Sequence, residues 1–245
     1  MSHMKKAFSL VMGLLTLCLA LPAAAVAPAD PQLTSDRQRY RSQAPVTITL
    51  MNQADYPLTF ENPWRIENSE GETVARFSWA DEANPVGQGD TRTWTWDQSP
   101  NDCSSDGACT KVGGYVPPGR YTAIVETQDG PARAKFLIGE YFTVGFKSRP
   151  HIEFVVFAAE PQAVEQMRSE AAAADKTMNV SGIVRPGRTR YNPDWKFTMA
   201  PTSIILAEVW IEVCDGSPYY VQKHRDEWRG DRWCPWSSYV KRVGR

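Results

Sequence analysis

The sequence predicts a chain in two parts, an all-β antiparallel sandwich followed by an α+β unit stapled by a disulfide. Three observations carry this expectation. Between Val46 and Ile138 apolar and polar residues alternate at period two in short runs, with turn residues between them. Helical spacing first appears after Glu160. Four cysteines form two close pairs, Cys103 with Cys109 and Cys214 with Cys234, one pair in each part.

In the first part, Val46, Ile48 and Leu50 alternate with Thr47 and Thr49, as in a half-buried strand. After the turn-like Asn52–Asp55, Tyr56, Leu58 and Phe60 alternate again. Trp64 with Ile66, then Val74, Phe77 and Trp79, predict two short strands around Asn68–Gly71. Thr93–Trp96 is a further strand. Val116-Pro117-Pro118-Gly119 is a turn, because proline presets φ and glycine tolerates positive φ. Tyr121–Val125 and Ala134–Ile138 complete the set. The preceding Val26–Asp36, rich in Pro and Ala, reads as extended chain.

The pattern changes after Tyr141. Ile152–Phe157 is β-rich, and Glu160-Pro161 opens a helix in which Ala163, Val164, Met167 and Ala171 recur at helical spacing. Strands are predicted near Val180–Val184 and Trp195–Met199, over the β-favouring Ser203–Val213, and over Ser238–Val243. Ser217 is a good N-cap and Pro218 a good first residue for a helix over Tyr219–Trp228. The predicted units are 36–141 and 150–243, with the boundary near Phe142–Arg149.

The start of the chain combines Lys5-Lys6, an apolar run from Leu10 to Leu21 and Ala23-Ala24-Ala25, the parts of a secretory signal peptide over residues 1–25. Met1–Met4 resembles a cloning remnant. The apolar run falls short of the roughly 20 residues a membrane span needs. Cys18 lies within the leader, so the mature chain keeps an even set of cysteines. That fits an oxidising compartment, secreted or periplasmic. Net charge is −1, which offers no basic footprint for nucleic acid.

The order Asn52–Phe60 (NQADYPLTF), Thr93–Gln98 (TWTWDQ) and Val116–Val125 (VPPGRYTAIV) resembles the immunoglobulin-like domain of the Bacillus intracellular proteinase inhibitor family. The resemblance covers roughly residues 36–140 and implies an immunoglobulin-like sandwich. The chain departs from that family by the insertion from Cys103 to Cys109. The second part, with EVCDG at 212–216 and CPWSS at 234–238, resembles a family of secreted bacterial domains, a related segment of which occurs near the N-terminus of a slime-mould membrane-associated protein. That resemblance implies a domain identity and transfers no catalytic residue.

Neither cysteine pair has C-x-x-C or Cys/His metal spacing, so both are expected as structural disulfides. The loop of about twenty residues closed by the longer one corresponds to roughly 3 kcal/mol in the chain-entropy model. The segment from Trp228 to Trp236 interleaves tryptophan, arginine and aspartate. Trp228, Arg229, Asp231, Arg232 and Trp236 are the candidate partner-binding residues, because Trp and Arg are enriched in interface hot spots. The bland alternative packs Trp233 and Trp236 under the loop with the arginines solvated. His224 sits among Arg225, Asp226 and Glu227 without a nucleophile motif, and Asp194 and Asp215 read as turn or capping residues. The sequon Asn179-Val180-Ser181 reads as chance. No cofactor, metal or enzyme activity is expected. The expected function is protein binding, in its most concrete form inhibition of an extracellular peptidase by loop occlusion through Asp102–Lys111 and Arg229–Trp236. The alternative is glycan or cell-envelope binding, with aromatic rings stacking on sugars.

Overall fold

The computed structural model describes residues 30–60, 64–77, 85–103 and 109–245, with the backbone alone at 102, 103, 109 and 212. The leader, Trp79 and the Cys103–Cys109 bond lie outside the described residues.

The chain is mostly β-sheet. Its first ten strands are β1 (Gln32–Ser35), β2 (Arg39–Arg41), β3 (Val46–Met51), β4 (Arg65–Glu67), β5 (Thr73–Arg76), β6 (Thr91–Trp96), β7 (Asn101–Cys103), β8 (Cys109–Lys111), β9 (Gly119–Thr127) and β10 (Gly130–Phe146). There follow β11 (Glu153–Ala158), α1 (Pro161–Ala172), β12 (Asn179–Pro186), β13 (Phe197–Met199), β14 (Ile205–Ala207), α2 (Pro218–Lys223), β15 (Arg232–Trp233) and β16 (Ser238–Val243).

Two sheets enclose the first core. One has the order β1-β3-β6; the other runs β10-β9-β4-β5, with β2 parallel to β10. The alternation in β3 sends Val46, Ile48 and Leu50 inward, and β6 sends in Trp94 and Trp96. From the other sheet come Ile66, Tyr121, Ala123, Val125, Phe136 and Ile138. On the outer face Thr49 and Thr93 hydrogen-bond across the strands at 3.1 Å. Trp64 stacks on Phe77 with centroids 3.7 Å apart. The hairpin β7–β8 places Cys103 directly opposite Cys109.

The second core lies between the C-terminal half of β10, with β11 and β16 beside it, and α1 with the β12 sheet. Phe142, Val144, Phe146, Phe154, Val164, Met167, Val180, Phe197, Trp233 and Val240 meet there. Each large apolar side chain fully buried contributes about 1.5–3 kcal/mol. Pro161 is accommodated at the start of α1, where its missing N–H has no intrahelical partner to lose.

One strand joins the two cores. β10 pairs with β9 as far as Ile138 and with β11 from Glu140 to Gly145. At the changeover sits Gly139, where a Cβ would collide with the backbone carbonyl of Ala158. Residues 142–146, near which the boundary was expected, are strand and core. Hydrogen bonds on both edges and burial on both faces hold them there.

Other expectations are also corrected. Gln32–Ser35 is a strand paired to β3, within the segment read as extended chain. The run Tyr56–Phe60 forms only the isolated bridges Leu58 to Val86 and Phe60 to Thr127. The β-favouring Ser203–Val213 gives strand only at Ile205–Ala207, and a 3-10 turn covers Glu212–Cys214. α2 ends at Lys223, because His224 leaves helical geometry at φ −108° and ψ 22°.

Candidate functional site

The Cys214–Cys234 disulfide is present, with Cα atoms 5.2 Å apart, and both residues are buried. The Cys234 N–H also donates to the Cys214 carbonyl at 2.8 Å. Beside the bridge, Ser217 caps α2 by accepting from the Tyr220 N–H at 3.2 Å. Trp233 is fully buried among Phe146, Phe154 and Phe197, and its indole Nε1–H donates to the Gly216 carbonyl at 2.9 Å. The Asp215 carboxylate accepts from the Trp236 backbone N–H at 3.0 Å, a turn role. The base of this region is thus cross-linked covalently and by hydrogen bonds.

From that base rises a segment that exposes aliphatic side chains. Val209, Ile211 and Val213 are 81%, 69% and 83% exposed. Exposed apolar groups clustered in this way mark interaction surfaces. Trp210, between them, turns inward. It lines a cleft of about 430 Å³ with Ile211, Val213, Glu227, Trp228, Asp231 and Arg232. Its Nε1 atom is buried without a hydrogen-bond acceptor among the described residues.

The five candidate binding residues divide. Trp228, Asp231 and Arg232 line the cleft together; Arg229 and Trp236 do not. Trp228 is half-buried and packs against the second core. Arg232 is half-buried, and its Nη1 donates to Ser181 Oγ at 3.0 Å and to the Ser203 carbonyl at 3.1 Å. Burial holds its guanidinium below the ordinary arginine value. Arg229 is exposed and pairs with Asp226 at 3.3 Å. Trp236 is 42% exposed, so the bland expectation of both tryptophans beneath the loop holds for Trp233 alone. Sequence reasoning missed Trp210 and its aliphatic neighbours. Their alternation matches a strand, and period alone does not say which face finds a partner.

The remaining candidates have structural surroundings. His224 Nδ1 lies 3.1 Å from Glu227 Oε1, and His151 is exposed in a turn. Asn179 is buried and donates to the Glu208 carbonyl at 3.0 Å. Among the described residues no three His, Cys, Asp or Glu side chains converge as a metal would need, and no helix is long and apolar enough to cross a membrane.

Fold and site together describe a mostly-β chain whose C-terminal half presents a disulfide-anchored apolar surface. Residues 140–245 are similar to the BP-74 N-terminal domain, whose family model matches them. The match opens at Glu140, where β10 exchanges β9 for β11 as its partner. No curated protein matches the chain.

Proposed function

We propose that the chain is a secreted or periplasmic binding module that recognises a protein, and that it docks through Val209, Ile211 and Val213. One observation carries this reading: three strongly exposed aliphatic side chains stand on a base fixed by the Cys214–Cys234 bond. A loop held in one conformation loses little entropy on binding, so its apolar burial is retained as affinity. The charged groups nearby, Arg229 with Asp226 and Glu227 with Asp231, form the polar rim that such surfaces carry.

The target class is an extracellular peptidase, inhibited by occlusion. Support comes from the resemblance of the first unit to an inhibitor family, read here as an immunoglobulin-like sandwich. Tyr121, at the start of β9, donates its hydroxyl to the Pro117 carbonyl at 2.6 Å, as the tyrosine corner of such sandwiches does. The occluding surface moves from Arg229–Trp236, of which Trp233–Pro235 pack inward, to Val209–Val213.

The test captures partners of the mature protein from culture supernatant and envelope extract, then titrates any captured peptidase with it. Stoichiometric loss of peptidase activity is expected. Capture of polysaccharide alone, with no protein retained, contradicts the reading.

A further inference from the structure

The cleft behind the aliphatic loop shares Ile211 and Val213 with the docking surface and adds aromatic and charged groups of its own. Two indoles, Trp210 and Trp228, supply flat apolar walls. Two carboxylates, Glu227 and Asp231, supply acceptors. The Arg232 guanidinium supplies donors, although its Nη1 is held by Ser181 and Ser203. A ligand matched to this set must therefore offer an acceptor to Arg232, donors to the carboxylates, and an apolar face to the rings.

The geometry points to the ring of a neutral sugar as that ligand. A pyranose carries hydroxyls that donate and accept around its edge, and a C–H face that stacks on aromatic rings. A quaternary ammonium would suit the indoles and carboxylates but has no acceptor for Arg232, whose charge also opposes it. An acidic sugar would meet Glu227 and Asp231. The cleft volume of about 430 Å³ falls in the range of small-molecule sites, about 300–1,000 Å³. The Cys214–Cys234 bond fixes one wall, because Cys214 itself lines the cleft.

This sugar site goes beyond the protein-docking reading; it shares Ile211 and Val213 with the docking surface, but its test turns on Trp210 and Asp231, which the docking test leaves unchanged. The test is calorimetric titration of the mature protein with chitotriose, cellotriose, maltotriose and, as a cationic arm, choline. Saturable binding of at least one trisaccharide and none of choline is expected. Trp210→Ala removes one stacking wall and should weaken binding at least about five-fold. Asp231→Asn should weaken it as well. Trp236→Ala, outside the cleft, should leave it unchanged, and melting temperatures confirm that each variant is folded. Absence of saturable binding by all three trisaccharides, binding of choline in their place, or equal affinity of Trp210→Ala and the parent chain overturns the proposal.

Discussion

Trp233 and Gly216 are tied by a 2.9 Å hydrogen bond from the indole Nε1–H to the backbone carbonyl, which fixes the Trp-rich segment to the start of α2. Trp233 is fully buried, whereas Trp236, three positions on, is 42% exposed. Trp233→Ala is therefore expected to cost about 3–5 kcal/mol of stability, as aromatic truncations in cores do. Trp236→Ala should fall within about 1 kcal/mol of the parent, as surface changes do. Urea denaturation of the two variants measures both, and equal losses would contradict this placement.

The Cys214–Cys234 bond makes a second prediction. Replacing both cysteines by serine should lower stability by about 3 kcal/mol, the chain-entropy value for a loop of this length. It should also raise hydrogen exchange at Val209–Val213 ahead of α1, because the bond anchors one end of that segment. Unchanged exchange there would show that the loop is held by other contacts.

Glu153 carries a pH prediction. Its Oε2 accepts from Arg242 Nη2 at 3.0 Å, and its Oε1 accepts from Arg242 Nη1 at 3.1 Å and from Lys241 Nζ at 2.6 Å. These bonds reach from β11 to β16 across β10. Hydrogen bonds from Arg242, then Lys241, bring the Glu153 carboxyl down from 4.5 to about 2. The folded value lies below the unfolded one, so the contribution is complete above about pH 4.5 and is lost as pH falls towards about 2. The group is partly exposed, so solvent and salt reduce its size. The melting temperature of the parent chain should exceed that of Glu153→Gln at pH 6, and the gap should close by about pH 2. A gap that stays constant over that range would contradict the linkage.

Gly139 tests the shared strand. With a Cβ directed at the Ala158 carbonyl, Gly139→Ala forces β10 and β11 apart. The expected cost is about 1–3 kcal/mol, the range for overpacking. Because β10 belongs to both cores, thermal unfolding of the variant should be perturbed in both halves. A variant as stable as the parent would show that β10 and β11 can move apart freely.

Much of the β architecture was legible where one face of a strand is buried and the other wet. Val46–Leu50 and Thr93–Trp96 alternate for that reason, and both are strands. Phe142–Phe146 was not legible, because both faces are covered and alternation disappears. Gln32–Ser35 is a four-residue edge strand fixed by pairing with β3, which local composition does not report. The disulfide could be read from spacing and compartment. Ser217 and Pro218 marked the start of α2, but no glycine or proline marked its end at Lys223. The site was half legible. Trp228, Asp231 and Arg232 were singled out by composition and do share a cleft, but Trp210 and the exposed aliphatics looked like core. A tryptophan between valine and isoleucine has the pattern of a buried strand, and only the tertiary fold leaves that segment outside the sheet.

The most direct measurement of the central claim is the affinity of the captured protein target for the parent chain and for the double variant Val209→Asp, Ile211→Asp. Both side chains stand in solvent, so the melting temperature should stay nearly the same. If the apolar loop is the docking surface, each change removes a hot-spot contact of about 2 kcal/mol, and affinity should fall by roughly 1,000-fold. Unchanged affinity with an unchanged melting temperature would contradict the account and place the protein-binding surface elsewhere on the chain.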